Sequence, residues 1–147
     1  MSSTHAPVVA GATAVDQRRS RTWLVLVLAV GCAAAYAVFF VWPYYANDLQ
    51  RFPLADVAVG YHDPKDLWPR TTSLGPLFAL GGFVTLTFGP FVVFGTLGWA
   101  VAKLVTGRVT HGWRERATLL VATAVSLGTL VWLGTPFAGA LMGWFLD

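Results

Sequence analysis

WLVLVLAVGCAAAYAVFFVW, residues 23–42, holds twenty consecutive positions without a charge, and its reading decides the fold. As a helix rising about 1.5 Å per residue it is about 30 Å long, the thickness of a bilayer's hydrocarbon core. Arg18, Arg19 and Arg21 precede it, and Trp23 and Trp42 stand at its ends, where amphipathic rings favour the headgroup zone. Pro43 is expected to stop the helix. The sequence thus predicts a transmembrane helix over 23–42, entered from a flexible cytoplasmic tail over 1–22 that shows no helical stripe.

Two more uncharged runs follow, 71–102 and 117–146, and the composition agrees with them. Of 147 residues 56% are hydrophobic and only 12% charged, whereas a soluble domain carries roughly 25% charged residues. A separate soluble catalytic domain, of about 100 residues or more, does not fit in what remains. The expected fold is an all-α membrane protein with three transmembrane helices, 23–42, 74–102 and 117–146. An extracytoplasmic loop with interfacial segments, 43–73, and a basic cytoplasmic linker, 103–116, join them. Spans two and three are expected to form a long kinked hairpin. Its kinks fall at Gly89 with Pro90 and at Gly134, Thr135 and Pro136, because proline removes a backbone donor and crowds the preceding turn.

Lys and Arg concentrate on the cytoplasmic side of membrane proteins. Three arginines lie in the tail, and Lys103, Arg108, Arg114 and Arg116 face only Glu115 in the linker, so both segments are expected inside. Arg51, Lys65 and Arg70 are outnumbered by Asp48, Asp56, Asp63 and Asp66 in the 43–73 loop, which with the C-terminus is expected outside. The tryptophans Trp23, Trp42, Trp68, Trp99 and Trp113 are the expected interface anchors. Absence of isoleucine and an excess of arginine (eight) over lysine (two) fit a GC-rich bacterial genome, and hence a multi-pass protein of the plasma membrane.

Residues 24–32, LVLVLAVGC, also meet a permissive lipoprotein signal that would make Cys32 a lipidation site and remove the first helix. The apolar run continues through AAAYAVFFVW after the cysteine, where a lipoprotein would begin a polar tether, so the spanning reading is preferred. A single cysteine makes neither an internal disulfide nor a cysteine-rich metal site.

Spans two and three exceed the roughly twenty residues one crossing needs by about ten each. Both surpluses, LGPLFALGG and FAGALMGWFL, fall at the loop end. Tilt takes up only a few residues, so these ends are expected to pair as a projecting hairpin, to lie under the 43–73 loop, to rest on the interface, or to dock on another subunit. Gly81, Gly82 and Gly89 thin the second helix and Gly139 with Gly143 make a GxxxG spacing. Such positions let helices approach closely, and packing inside the chain is their commoner use.

No Asp, Glu, Lys, Arg or His occurs in 22–47, 71–102 or 117–146. Intramembrane ionisable groups mark proton relays and ion paths, and haem across a bundle needs axial ligands, so neither a pump nor a cofactor is expected. Nucleic acid is not an expected partner, since basic residues are few and not interleaved with aromatics; a bound small molecule is left open. The hydroxyls of Thr85, Thr87, Thr96, Thr123, Ser126, Thr129 and Tyr36 are expected to bond a carbonyl one turn back or to link helices.

One polar run, GYHDPKDLWPR at 60–70, brings acid, base and imidazole together. His62, Asp63 and Asp66 are the candidate ligands of a divalent metal there. Each residue type also has a structural use: Asp63 and Pro64 open a turn, and the residues ahead of proline leave it extended. The loop reading is preferred, with no catalytic residue, cofactor site or metal site assigned. The function expected from these features is an accessory or assembly subunit of a larger membrane complex, with the lipid bilayer and other membrane protein subunits as partners. A small homo-oligomeric transporter or channel component is the alternative, and a membrane-embedded enzyme using the 60–70 loop comes third.

Overall fold

A computed structural model describes residues 9–59, 63–106 and 112–146, with the backbone alone over 9–21. Six α-helices make up most of it: α1 (Val9–Tyr36), α2 (Trp42–Ala46), α3 (Leu54–Ala58), α4 (Gly75–Val105), α5 (Gly112–Leu133) and α6 (Pro136–Leu146). Among the described residues three stretches are long and apolar enough to cross a membrane, Thr22–Ala46, Gly75–Val105 and Gly112–Leu133.

Helix α1 starts at Val9, so the backbone of 9–22, expected as a flexible tail, is helical and runs on into the first span. Past Pro7 this stretch holds no proline, and its alanines, arginines and glutamine are good helix formers. Nor does the span end at Pro43. A π turn over Ala37–Val41, in which the Trp42 N–H reaches the Ala37 carbonyl, leads into α2, and Pro43 sits in the first turn of α2, where a missing N–H costs little. The wider turn also takes up the drift that a spacing of four accumulates against a 3.6-residue helix. Tyr36, Phe40 and Tyr44 therefore all face one buried cluster.

Helices α1, α4 and α5 form an up-down-up bundle. Thr22 donates to Glu115 Oε1 (3.1 Å) at one end and Tyr36 packs against Trp132 (5.7 Å between rings) toward the other, so α1 and α5 run parallel. Thr96 meets Ser126 at 3.0 Å and Ala100 packs with Leu119, which sets α4 antiparallel to α5. Helix α4 passes through Pro90 without a break. The run 117–146, expected as one kinked helix, is two helices: α5 stops at Leu133, Gly134 and Thr135 turn the chain, and Pro136 opens α6. Proline is favourable in a first helical turn and unfavourable inside one, and the Thr135 hydroxyl accepts from Ala138 N–H (3.2 Å) as a cap. A cap and a proline in this order make a new helix start.

This break accounts for the surplus after the third span, whereas the surplus LGPLFALGG stays in the unbroken helix α4. Helix α6 packs on α3 and on the π turn, and the cluster Tyr36, Phe40, Tyr44, Leu49, Val57, Leu141, Trp144 and Phe145 fills the space between. Of the arrangements open to the sequence, α6 takes the one beneath the 43–73 loop. The linker is shorter than expected, since α4 continues to Val105 and α5 starts at Gly112, whose φ of +68° suits glycine.

Candidate functional site

The polar run 60–70 is a folded loop segment in the part described. Asp63 Oδ1 accepts from the Lys65 N–H (2.8 Å), its other oxygen lies 3.8 Å from Lys65 Nζ, and Pro64–Asp66 form a 310 turn. Asp66 is exposed on that turn; His62, the candidate imidazole, lies outside the described residues. Among the described residues no group of three His, Cys, Asp or Glu side chains is placed to hold a metal ion.

Two side chains tie this loop to the bundle. The Asn47 amide, just past α2, donates to the Trp68 carbonyl (2.7 Å) and to the Pro43 carbonyl (2.7 Å), while its oxygen accepts from the Trp68 N–H (3.1 Å). Arg70 Nη2 donates to the Phe145 carbonyl in the last turn of α6, and its guanidinium lies over the Phe145 ring, 4.5 Å from the centroid. A cation at a helix C-terminus satisfies an otherwise unpaired carbonyl and meets the negative end of the helix dipole. Burial pushes the Arg70 pKa down from its usual value, opposed by the nearby Asp63 charge.

Beside Arg70 lies a shallow, open recess lined by Phe39, Pro43, Pro64, Trp68, Pro69, Phe78, Trp144 and Phe145. It joins three regions far apart in sequence: the π turn with α2, the 64–70 segment with the start of α4, and the end of α6. Phe39 and Phe78 meet edge-on at 5.0 Å, and Trp42 stacks beside Trp68 at 6.0 Å. Sequence reasoning took Trp68 as an interface anchor and Arg70 as one of the loop's charges. The signal it lacked was the fold of α6, which returns a helix C-terminus to Arg70.

Deeper in the bundle, Cys32 Sγ donates to the Gly89 carbonyl (3.6 Å), and the Tyr36 hydroxyl is buried without a hydrogen-bond partner among the described residues. The threonine hydroxyls are taken up locally: Thr85 bonds the Gly81 carbonyl (2.7 Å), Thr96 the Val92 carbonyl (2.8 Å) and Thr129 the Val125 carbonyl (2.9 Å). Ser126, fully buried, meets Thr96.

The glycines divide into two sets. A Cβ on Gly81 would meet the Phe39 ring, one on Gly82 the Phe145 ring and one on Gly89 the Tyr36 hydroxyl, all closer than contact allows. These three make room for side chains of the same chain. Gly95, Gly98, Gly128 and Gly139 have nothing within 4 Å of a would-be Cβ, and Gly143 has only the Ala58 carbonyl at 3.9 Å. Of the tryptophans, Trp23, Trp42, Trp68 and Trp113 are exposed. Trp99 is half-buried beneath Lys103, 5.2 Å away.

No family model, curated protein or solved structure matches the chain.

Proposed function

We propose that this chain is a small multi-pass protein of the plasma membrane, N-terminus cytoplasmic, that acts as an accessory or assembly subunit of a larger membrane complex. One observation carries the reading: Gly95 and Gly98 on α4, Gly128 on α5 and Gly139 on α6 face away from the chain with open space beside them. Small residues at such places let another helix approach backbone to backbone. No charged residue falls within 22–47, 71–102 or 117–146, which supports a binding role over transport or chemistry, and the reading gives the chain no catalytic step of its own.

Tagged full-length protein, solubilised gently and analysed by mass spectrometry, is expected to bring down larger membrane proteins in fixed stoichiometry. Gly95→Leu with Gly128→Leu is expected to reduce that recovery while Asp63→Ala leaves it unchanged. A lone monomer would overturn the reading. A pure homo-oligomer would replace it with the transporter or channel alternative.

A further inference from the structure

We propose that the recess beside Arg70 binds the phosphate-bearing headgroup of an anionic phospholipid, with the Arg70 guanidinium as its cation. This goes beyond the assembly role, which rests on other faces of the molecule. Depth is the first argument. The recess opens next to Trp42 and Trp68, both exposed, at the loop ends of the α1 and α4 spans, where a bilayer places its headgroups. Chemistry is the second. Its walls are proline and aromatic rings and its cation is Arg70, so an anion with an apolar body complements it in charge and in polarity. Among the described residues no carboxylate forms an ion pair with Arg70: Asp63 pairs with Lys65 and Asp48 with Arg51. The guanidinium has five N–H donors in a planar fork suited to phosphate, and the Phe145 carbonyl takes one of them.

Setting separates a lipid from a soluble anion. The recess is shallow and open, so a headgroup would sit at its mouth beside Arg70 with the acyl chains outside it. Leu74, Leu77 and Leu80, at the same end of α4 as Phe78, are exposed and offer apolar surface on which such chains would lie. A free phosphate would gain nothing from that surface.

The test uses the full chain in lipid nanodiscs and in detergent, with phosphatidylglycerol and phosphatidylcholine as probes and native mass spectrometry as the readout. Phosphatidylglycerol is expected to be retained in preference to phosphatidylcholine, and Arg70→Gln to weaken retention about tenfold, as loss of a charge-assisted contact does. Arg114→Gln with Arg116→Gln, at the other end of the bundle, is expected to leave retention unchanged. Because Arg70 also holds α6, wild-type protein provides a second arm: a phosphatidylglycerol with a photoreactive headgroup should cross-link within residues 64–78. Equal retention of the two lipids, cross-links confined to the linker end, or full competition by soluble glycerol phosphate would each overturn the proposal.

Discussion

At Gly75 a single β-carbon decides whether the second span can start where it does. The Cβ of an alanine there would lie closer to the Arg70 carbonyl oxygen than contact allows, and that backbone atom cannot swing aside. At Gly82 the obstacle is the Phe145 ring, held in the buried cluster against Phe40 at 4.9 Å. Gly75→Ala and Gly82→Ala are therefore expected to lower stability by about 1–3 kcal/mol each, the usual cost of overpacking. Gly95→Ala and Gly98→Ala, with open space, should stay within about 0.5 kcal/mol of wild type. Unfolding of the detergent-solubilised variants checks the contrast; equal effects in both sets would refute it. The glycines were visible in the sequence as thin places on a helix, but which of them face inward was not, because that depends on rings from α1 and α6. Tyr36 makes the same point. It recurs with Phe40 and Tyr44 at a spacing of four, but the sequence does not show that its hydroxyl lies against Gly89 with no partner among the described residues. Tyr36→Phe removes an unpaired buried group and is expected to stabilise the protein by about 1 kcal/mol. It should also reduce the cost of Gly89→Ala, since the hydroxyl is the nearest atom to the new methyl. Strictly additive effects in a double-mutant cycle would remove that account.

Helix α6 shows how far periodicity and hydropathy reach along an element. Its composition read correctly as apolar and surplus to one crossing, and Gly134, Thr135 and Pro136 read correctly as a disturbance. Whether proline kinks a helix or starts a new one depends on what the following segment packs against, and that partner, the 49–57 region of the loop, lies some ninety residues earlier. The same holds for α1, where Pro43 marked an ending that the π turn instead carries through. By contrast, the three long uncharged runs were legible outright, because crossing hydrocarbon demands about twenty apolar residues whatever the tertiary context. If α6 is a packed element and not a loose surplus, its central residue should behave as core. Leu141 is fully buried among Phe40, Leu49 and Val57. Leu141→Ala is expected to cost about 2–5 kcal/mol in unfolding free energy. Leu146→Ala, at an exposed position of the same helix, should cost less than about 0.5 kcal/mol. Similar small effects at both positions would mean that α6 is not docked.

In the whole molecule the three long helices lie side by side, tied at one end by Thr22 with Glu115 and by the Ala100 and Leu119 contact, and capped at the other by α3, α6 and the Asn47 and Arg70 links. Charged side chains lie toward the two ends; in the middle the Thr85, Thr96 and Thr129 hydroxyls bond their own helices, Ser126 meets Thr96, and the Tyr36 hydroxyl has no partner among the described residues. The basic residues Lys103, Arg114 and Arg116 gather at the tied end and the aspartates of the loop at the capped end, which is the charge asymmetry that would set its direction in a bilayer. An odd number of crossings puts the two chain ends on opposite faces. The most direct measurement replaces Cys32 by Ser, introduces single cysteines at Ser3, Asp66, Thr110 and Asp147, and labels each in intact cells with a thiol reagent that does not cross the membrane. The account predicts labelling at positions 66 and 147 and protection at 3 and 110 until the cells are opened. Labelling of positions 3 and 147 from the same side would contradict three crossings, and the assignments built on them would fail with it.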